Sequence, residues 1–381
     1  MFPIPAHATV QTAPPTPIRR PLPRIQPFKR EAAAADPDLA VNSCLVLSSA
    51  FRQAYAGDTT GLNFETLNRC AHDLVNLGHG EVLYTQVATS MAAGVEKVAE
   101  SLDRSTSAPD AEFLRELLGE WKKHGRAVLM ILDIVMYMER AFVLKRGKAS
   151  VRELGLRAWR DGVVRRSAGE VRPRLRAALL RMARRERACE AVDTALYELM
   201  ASATKMLVEL GDNVYQEILE TPFLDETGRF YAREFVRLLP TPYDCGEYLS
   251  KVESMVDAEK ARVSRCLGHL TTEEKVTAVV LRGMVEKDVA RLVGMDGSGL
   301  ASMLVYGRYW DLTRMHRLLG RVQGGVPAMR DVMEAHFRLV RKAAGDDERL
   351  LSGEKDRYGE MIDGVFHGEE SFCAAPDSCF T

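Results

Sequence analysis

What the chain has little of narrows its class. Aromatic residues make up 7% of the 381 residues, and nine of the 16 prolines fall before residue 40, leaving seven for everything after it. Alternating β-patterned runs are nearly missing as well, so the body reads as helical. The seven cysteines (Cys44, Cys70, Cys189, Cys245, Cys266, Cys373 and Cys379) are scattered and form no CxxC pair. That speaks against a disulfide framework or a structural zinc site and for a reducing compartment. Lys and Arg number 52 against 53 Asp and Glu, a formal charge of -1, so no global field draws nucleic acid or anionic membrane. The longest apolar candidate, around Val128 to Met138, is broken by Asp133 and falls short of the roughly 18 to 20 residues a bilayer span needs, so a soluble protein is expected. Prolines every few residues near the start are incompatible with an export signal. Phosphate loop, zinc helix, nucleophile elbow and dinucleotide fingerprint are all missing, so no enzyme, cofactor or metal is expected.

What is present is a chain that is 46% hydrophobic, enough for a sizeable core. Residues 1–40 form a proline-rich arm, because proline both removes a donor and excludes helix. Beyond it, Leu249, Val252, Val256, Val263 and Leu267 recur at helical spacing, and Phe113, Leu117, Trp121, His124, Val128, Leu132 and Val135 predict one long helix over about Glu112 to Lys145. Gly and Pro punctuation separates about a dozen such helices. Long helices with short joints predict an all-α, elongated rod of antiparallel helices.

Some signals have a plain structural reading. Gly294 to Leu300 looks like a phosphate cradle, but the better reading is a helix end at Gly294 and a new helix capped by Ser298. Cys266 and His269 are the one pair at ligand spacing, with no second pair nearby. His316 and His336 read as surface or hydrogen-bonded residues. From Lys145 to Arg187 the chain carries 15 Lys or Arg against four acids. This is either a solvated helix face or a grip for phosphates; Trp159 is the single aromatic in it able to stack on bases, which disfavours nucleic acid.

Several strings are more specific. TGLNFETLNRCAHDLVNLGHGEVLYTQV (60–87), ILDIVMYMERAFV (131–143), TPFLDETGRFYAREF (221–235), EYLSKVESMVDAEKARVSRCL (247–267) and SGLASMLVYGRYWDLTRMHRLLGRVQGGVPAMRDVM (298–333) occur in order. Together they resemble the cullins, in particular plant members of the third cullin type, which binds BTB-domain adaptors. The resemblance implies a non-catalytic scaffold of a ubiquitin ligase, working in cytoplasm and nucleus in ubiquitin-dependent protein degradation. It also implies an organisation: arm 1–40, a first, adaptor-binding repeat over 41–210, a second over 211–345, and the stub of a third with an unstructured tail over 346–381. Two rivals keep the helical rod but change its use, one a tether of the vesicle-docking kind, the other a phosphate-backbone binder through the arginine-rich stretch.

The adaptor face carried over by the resemblance is Leu62, Phe64, Glu65, Asn68 and His72 on one helix, Asp133 and Tyr137 on another, and Phe28 in the arm as an apolar plug. Phe64, Asn68 and His72 at i, i+4, i+8 share one helical stripe. An exposed aromatic there can contribute about 2 kcal/mol to binding, whereas a buried Phe64 would be ordinary core. Asn68 and His72 replace tyrosines usual in BTB-binding cullins, which implies weaker or redirected binding. The RING-binding end and the lysine that accepts the ubiquitin-like modifier have no counterpart, so no RING partner is expected, and the chain could compete with intact cullins. The helix over about Glu348 to Phe366 is expected to lack its later partners, expose its apolar stripe and fray.

Overall fold

The protein is described from a computed structural model, which covers residues 37–367, apart from 106, 168, 189–193, 239–243, 269 and 346, together with residue 372. Every regular element among the described residues is helical. In chain order these are α1 (Pro37–Ala56), α2 (Phe64–Asn76), α3 (Gly80–Arg104), α4 (Asp110–Ile134), α5 (Met136–Met138), α6 (Val151–Trp159), α7 (Val171–Arg187), α8 (Thr194–Leu210), α9 (Asp212–Tyr215), α10 (Thr221–Leu238), α11 (Cys245–Cys266), α12 (Leu270–Met284), α13 (Val289–Val293), α14 (Leu300–Tyr306), α15 (Tyr309–Leu319), α16 (Gly325–Ala344) and α17 (Glu348–Phe366).

Packing proceeds as three apolar cores in series. The first gathers Leu47 and Phe51 of α1, Leu67 and Leu74 of α2, and Leu83 and Val87 of α3. The second surrounds Trp159 with Phe113, Leu117, Leu175, Tyr215 and Phe223, and so runs across residue 210. The third joins Leu249, Val252, Leu292, Phe337 and Tyr358. Tyr55 and Ala158 pack against both the first and second cores. Helix α11 gives Val263 to the second and Val256 to the third, and α12 gives Val276 and Val280 in the same way. Each core therefore shares helices with the next, as in a solenoid. The stripe expected from Leu249 to Leu267 is buried throughout.

Four expectations need correction. The long helix does not run on to Lys145: α4 ends at Ile134, Val135 leaves helical geometry (φ -103°, ψ 21°), and the chain continues through α5, a π-type turn over Glu139–Val143 and a 3-10 turn over Leu144–Arg146. Apolar periodicity persists through this break because Val135, Met138 and Val143 all enter the first core, while Glu139 Oε2 accepts the Val151 N–H at 3.1 Å and so caps α6. Ser298 does not cap its own helix; its Oγ accepts the Cys245 N–H at 3.1 Å at the start of α11, and Gly299 precedes α14. A Cβ on Gly299 would stand 2.5 Å from the Val293 carbonyl, so only glycine fits there.

Helix α17 does not expose its stripe. Tyr358, Met361, Ile362, Val365 and Phe366 are buried in the third core, against α15 and α16, and Tyr358 Oη lies 3.0 Å from His336 Nε2. It pairs backward along the chain through its C-terminal half, while Leu350 in its first turn stays exposed.

The arginine-rich stretch is only in part a solvated face: Arg152, Arg181 and Arg184 stay largely in water, yet many of its guanidiniums are ion-paired rather than left as an open grip. Arg165 and Arg172 clasp Glu217, Arg174 and Arg181 converge on Asp110, Arg166 reaches Asp103, Arg152 reaches Glu209 and Arg184 reaches Glu226. At its end Arg187 forks onto Glu259 at 2.7 and 3.3 Å and donates to Thr227 Oγ1 at 2.7 Å. Tyr231 Oη donates to Glu259 at 3.0 Å, and Arg262 is ion-paired with Glu259 and Glu186. Glu259 is fully buried and Arg187 nearly so. Burial alone would push the Glu259 carboxyl up, but the two guanidiniums hold it below its ordinary range. This hub ties α7, α10 and α11 into one body.

Candidate functional site

Helix α2 is built to present one face and bury the other. Asn63, in extended conformation, accepts the Thr66 N–H on Oδ1 at 3.1 Å and starts the helix; Glu65 sits in the first turn, where a carboxylate favours the dipole. Leu67, Ala71 and Leu74 are buried in the first core. At the far end Leu77 donates back to Asp73 O, and Gly78 takes φ 87°, which turns the chain into α3. The start of α3 is pressed against the Phe142 ring so closely that a Cβ on Gly80 would meet it at 2.5 Å.

The outward face carries the predicted residues. Phe64 remains 39% exposed, so it is not a core residue. Glu65 is exposed, and Leu62, Asn68 and His72 are half-buried. Leu62 also borders a 300 Å³ recess with Val46, Ser49 and Gln53 of α1 and Thr66 of α2. Asp133 is exposed at the last turn of α4, and Tyr137, beyond the Val135 break, is 37% exposed. The break brings the Tyr137 ring onto α2. Its centroid lies 4.3 Å from that of His72 at 47°, and its Oη donates to Asn76 Oδ1 at 2.8 Å. Asn76 Nδ2 in turn lies 3.1 Å from His72 Nδ1, whose other neighbour is Asp73 Oδ1 at 3.4 Å. Tyr137 is thus fixed by an amide and an imidazole while part of its ring stays in water.

Phe64 and His72 are eight residues apart on one stripe, on the order of 12 Å along the axis. The structure therefore brings Phe64, Asn68, His72 and Tyr137 to one side of α2, with Asp133 one turn before Tyr137. Phe28 lies outside the described residues. Asn76 escaped the sequence reading although it continues the same i+4 series from His72. Exposed Met136 and Leu129 also went unnoticed; Leu129 precedes Asp133 by one turn on α4.

This arrangement has the composition of a contact surface. An anchored phenol, an exposed phenyl and two short polar side chains make an amphipathic contact surface of the sort that dominates interfaces. Elsewhere, Cys266 is buried with its thiol pushed up to about 11 by that burial, and its would-be companion His269 lies outside the described residues. A second exposed aromatic patch, Tyr306, Tyr309 and Trp310, lies in the third-core region where α14 turns into α15. No described helix is long and apolar enough to cross a membrane.

Comparison with known proteins adds the remaining facts. The family profile described as "Cullin alpha solenoid domain" matches residues 45–381. Among curated relatives, Cullin-3B of Arabidopsis thaliana is 36% identical over 368 residues, covering 94% of this chain and 49% of its own length. Cullin-3 of Dictyostelium discoideum is 31% identical over 359 residues (91% and 45%), and Cullin-3 of Caenorhabditis elegans 30% identical over 354 (89% and 44%). The chain spans about half the length of these relatives.

Proposed function

The chain belongs to the cullin family, and from that premise we propose that it serves as the adaptor-binding scaffold half of a cullin-RING ubiquitin ligase, docking BTB-domain adaptors on the outward face of α2 and on α5. The observation that carries this reading is Phe64: a large aromatic left 39% exposed at the head of a capped helix whose opposite face is fully packed. A phenyl in that position costs solubility unless a partner pocket receives it. Tyr137, held by Asn76 and His72, is the second anchor. Leu62, Glu65, Asn68 and Asp133 form the surround that excludes water from the two rings, and the arm residue Phe28 adds a further apolar contact. The two repeats, 41–210 and 211–345, act as a spacer. Rigid separation sets the effective concentration of whatever the two ends hold, and the shared helices between cores, with the Glu259 hub, supply that rigidity. The scaffold itself performs no catalytic step and acts in cytoplasm and nucleus.

The ion pairing of the arginine stretch argues against phosphate-backbone binding, since guanidiniums already committed to carboxylates have little left for phosphates. A pull-down of the full chain with a panel of BTB domains, wild type beside Phe64→Ala, tests the proposal. Retention of at least one BTB domain by the wild type and its loss in the variant is expected; retention of none overturns the reading.

A further inference from the structure

Beside the Glu259 hub, α7 and α10 enclose a pocket of 460 Å³ lined mainly by guanidiniums. Arg184 and Arg187 enter from α7 and Arg229 and Arg233 from α10, with Glu226 as the one acidic group of the lining and Phe230 as an apolar wall. The charges do not balance. Arg184 forks onto Glu226, and Arg187 is answered by Glu259 behind the pocket. Arg229 and Arg233, both exposed, meet no carboxylate among the described residues; Arg233 Nε donates to the Arg229 carbonyl at 3.2 Å instead. A cleft lined by one sign of charge focuses its field on a counter-ion. The buried end of the pocket carries a second, independent sign. The Arg187 side chain is only 5% exposed, and its Nε and Nη2 are spent on Glu259 and Thr227, which leaves Nη1 without an acceptor among the described residues. A guanidinium already fixed by two partners loses little freedom when a further acceptor arrives.

We propose that this pocket binds a small organic phosphate monoester, its phosphate held by Arg229, Arg233 and the free Nη1 of Arg187 and its organic body resting against Phe230. The charge fits: a phosphate monoester carries about -1.5 to -2 at neutral pH, against the two unanswered guanidiniums of α10. The donors fit as well, since planar guanidinium forks match phosphate oxygens better than a point charge does. The volume lies within the range of about 300 to 1,000 Å³ usual for small-molecule sites. A nucleic-acid backbone would need a longer track of free cations, and upstream of Arg184 that track is interrupted, because Arg165 and Arg172 are committed to Glu217 and Arg174 and Arg181 to Asp110. The bound phosphate bridges α7 and α10, so it tightens the same joint that the hub closes. None of this depends on what the α2 face binds.

Calorimetric titration of the full chain with phenyl phosphate at low ionic strength tests the site. Wild type should bind one equivalent saturably, and Arg229→Gln/Arg233→Gln should weaken binding by about tenfold or more. Arg115→Gln/Arg126→Gln removes the same net charge from exposed positions of α4 and should stay within about twofold of wild type. All four side chains are exposed, so the ligand-free variants should unfold at the wild-type temperature, whereas phenyl phosphate should raise that temperature for wild type and the α4 variant alone. Absence of saturable binding to wild type overturns the proposal, as does equal weakening in the α4 variant. Saturable binding of a phosphoserine peptide through Arg229 and Arg233, with none of phenyl phosphate, also overturns it, in favour of a phosphorylated partner protein.

Discussion

The Glu259 hub and the His72–Tyr137 pair are both polar clusters joining separate helices, yet they sit in opposite environments. In the hub, charge is buried: Arg187 and Tyr231 donate to Glu259 and Arg262 is ion-paired with it, although the buried Arg262 Nη1 makes no hydrogen bond. On the α2 face, Tyr137, His72 and Asn76 are held by side-chain hydrogen bonds and a ring contact while staying partly in solvent, beside the exposed Phe64. The same economy of side chains therefore gives a rigid joint in one place and an unfinished surface in the other. Burial decides which. A broken contact inside strands a charge, whereas a broken contact outside is repaired by water.

That contrast sets the order of expected effects. Glu259→Ala leaves two guanidiniums facing each other in the interior and should lower stability by about 3 to 5 kcal/mol, read by denaturant unfolding. Because the Glu259 carboxyl is held low in the folded state, its contribution is present at neutral pH and fades as pH falls through that lowered value.

His124 extends the comparison to a buried neutral group. It is packed beside Trp121 and Trp159, donates from Nε2 to the Gly155 carbonyl at 3.0 Å, and accepts the Tyr55 hydroxyl on Nδ1 at 3.1 Å. The carbonyl can only accept, which fixes the tautomer. Burial brings its pKa down from 6.5 to about 4. A depressed base stabilises the fold fully above its unfolded value and less as pH falls between the two. Stability should therefore drop by about 3 kcal/mol in all from pH 6.5 to 4, and His124→Gln should flatten that slope.

On the exposed side, Phe64→Ala should weaken BTB binding by about 2 kcal/mol, roughly 30-fold, while shifting stability by no more than about 0.5 kcal/mol. Tyr137→Phe, which deletes only the hydroxyl bonded to Asn76, should change either quantity by about 0.5 kcal/mol, measured by titration and thermal unfolding. A large stability loss from Phe64→Ala would erase the distinction between the two regions.

Helix class and the stripe over Leu249 to Leu267 were legible because helical periodicity is local. So was the shared helical face of Phe64, Asn68 and His72, and one more step of four reaches Asn76. The break at Val135 was not, since apolar residues continue on both sides of it and no Gly or Pro marks it. The fate of the arginines was hidden for another reason: Arg187 and Glu259 are 72 positions apart, and only packing of α7 on α11 brings them together. Helix α17 was misjudged likewise, because its partners α15 and α16 precede it and an apolar stripe does not say which neighbour it meets.

The central claim is that the half-wet face of α2, rather than another part of the rod, receives the partner. Hydrogen exchange of the full chain with and without a saturating BTB domain tests it most directly. Added protection centred on residues 60–77 and 131–140 is the expected result. Protection of the Tyr306–Trp310 patch with residues 60–77 unchanged would contradict it.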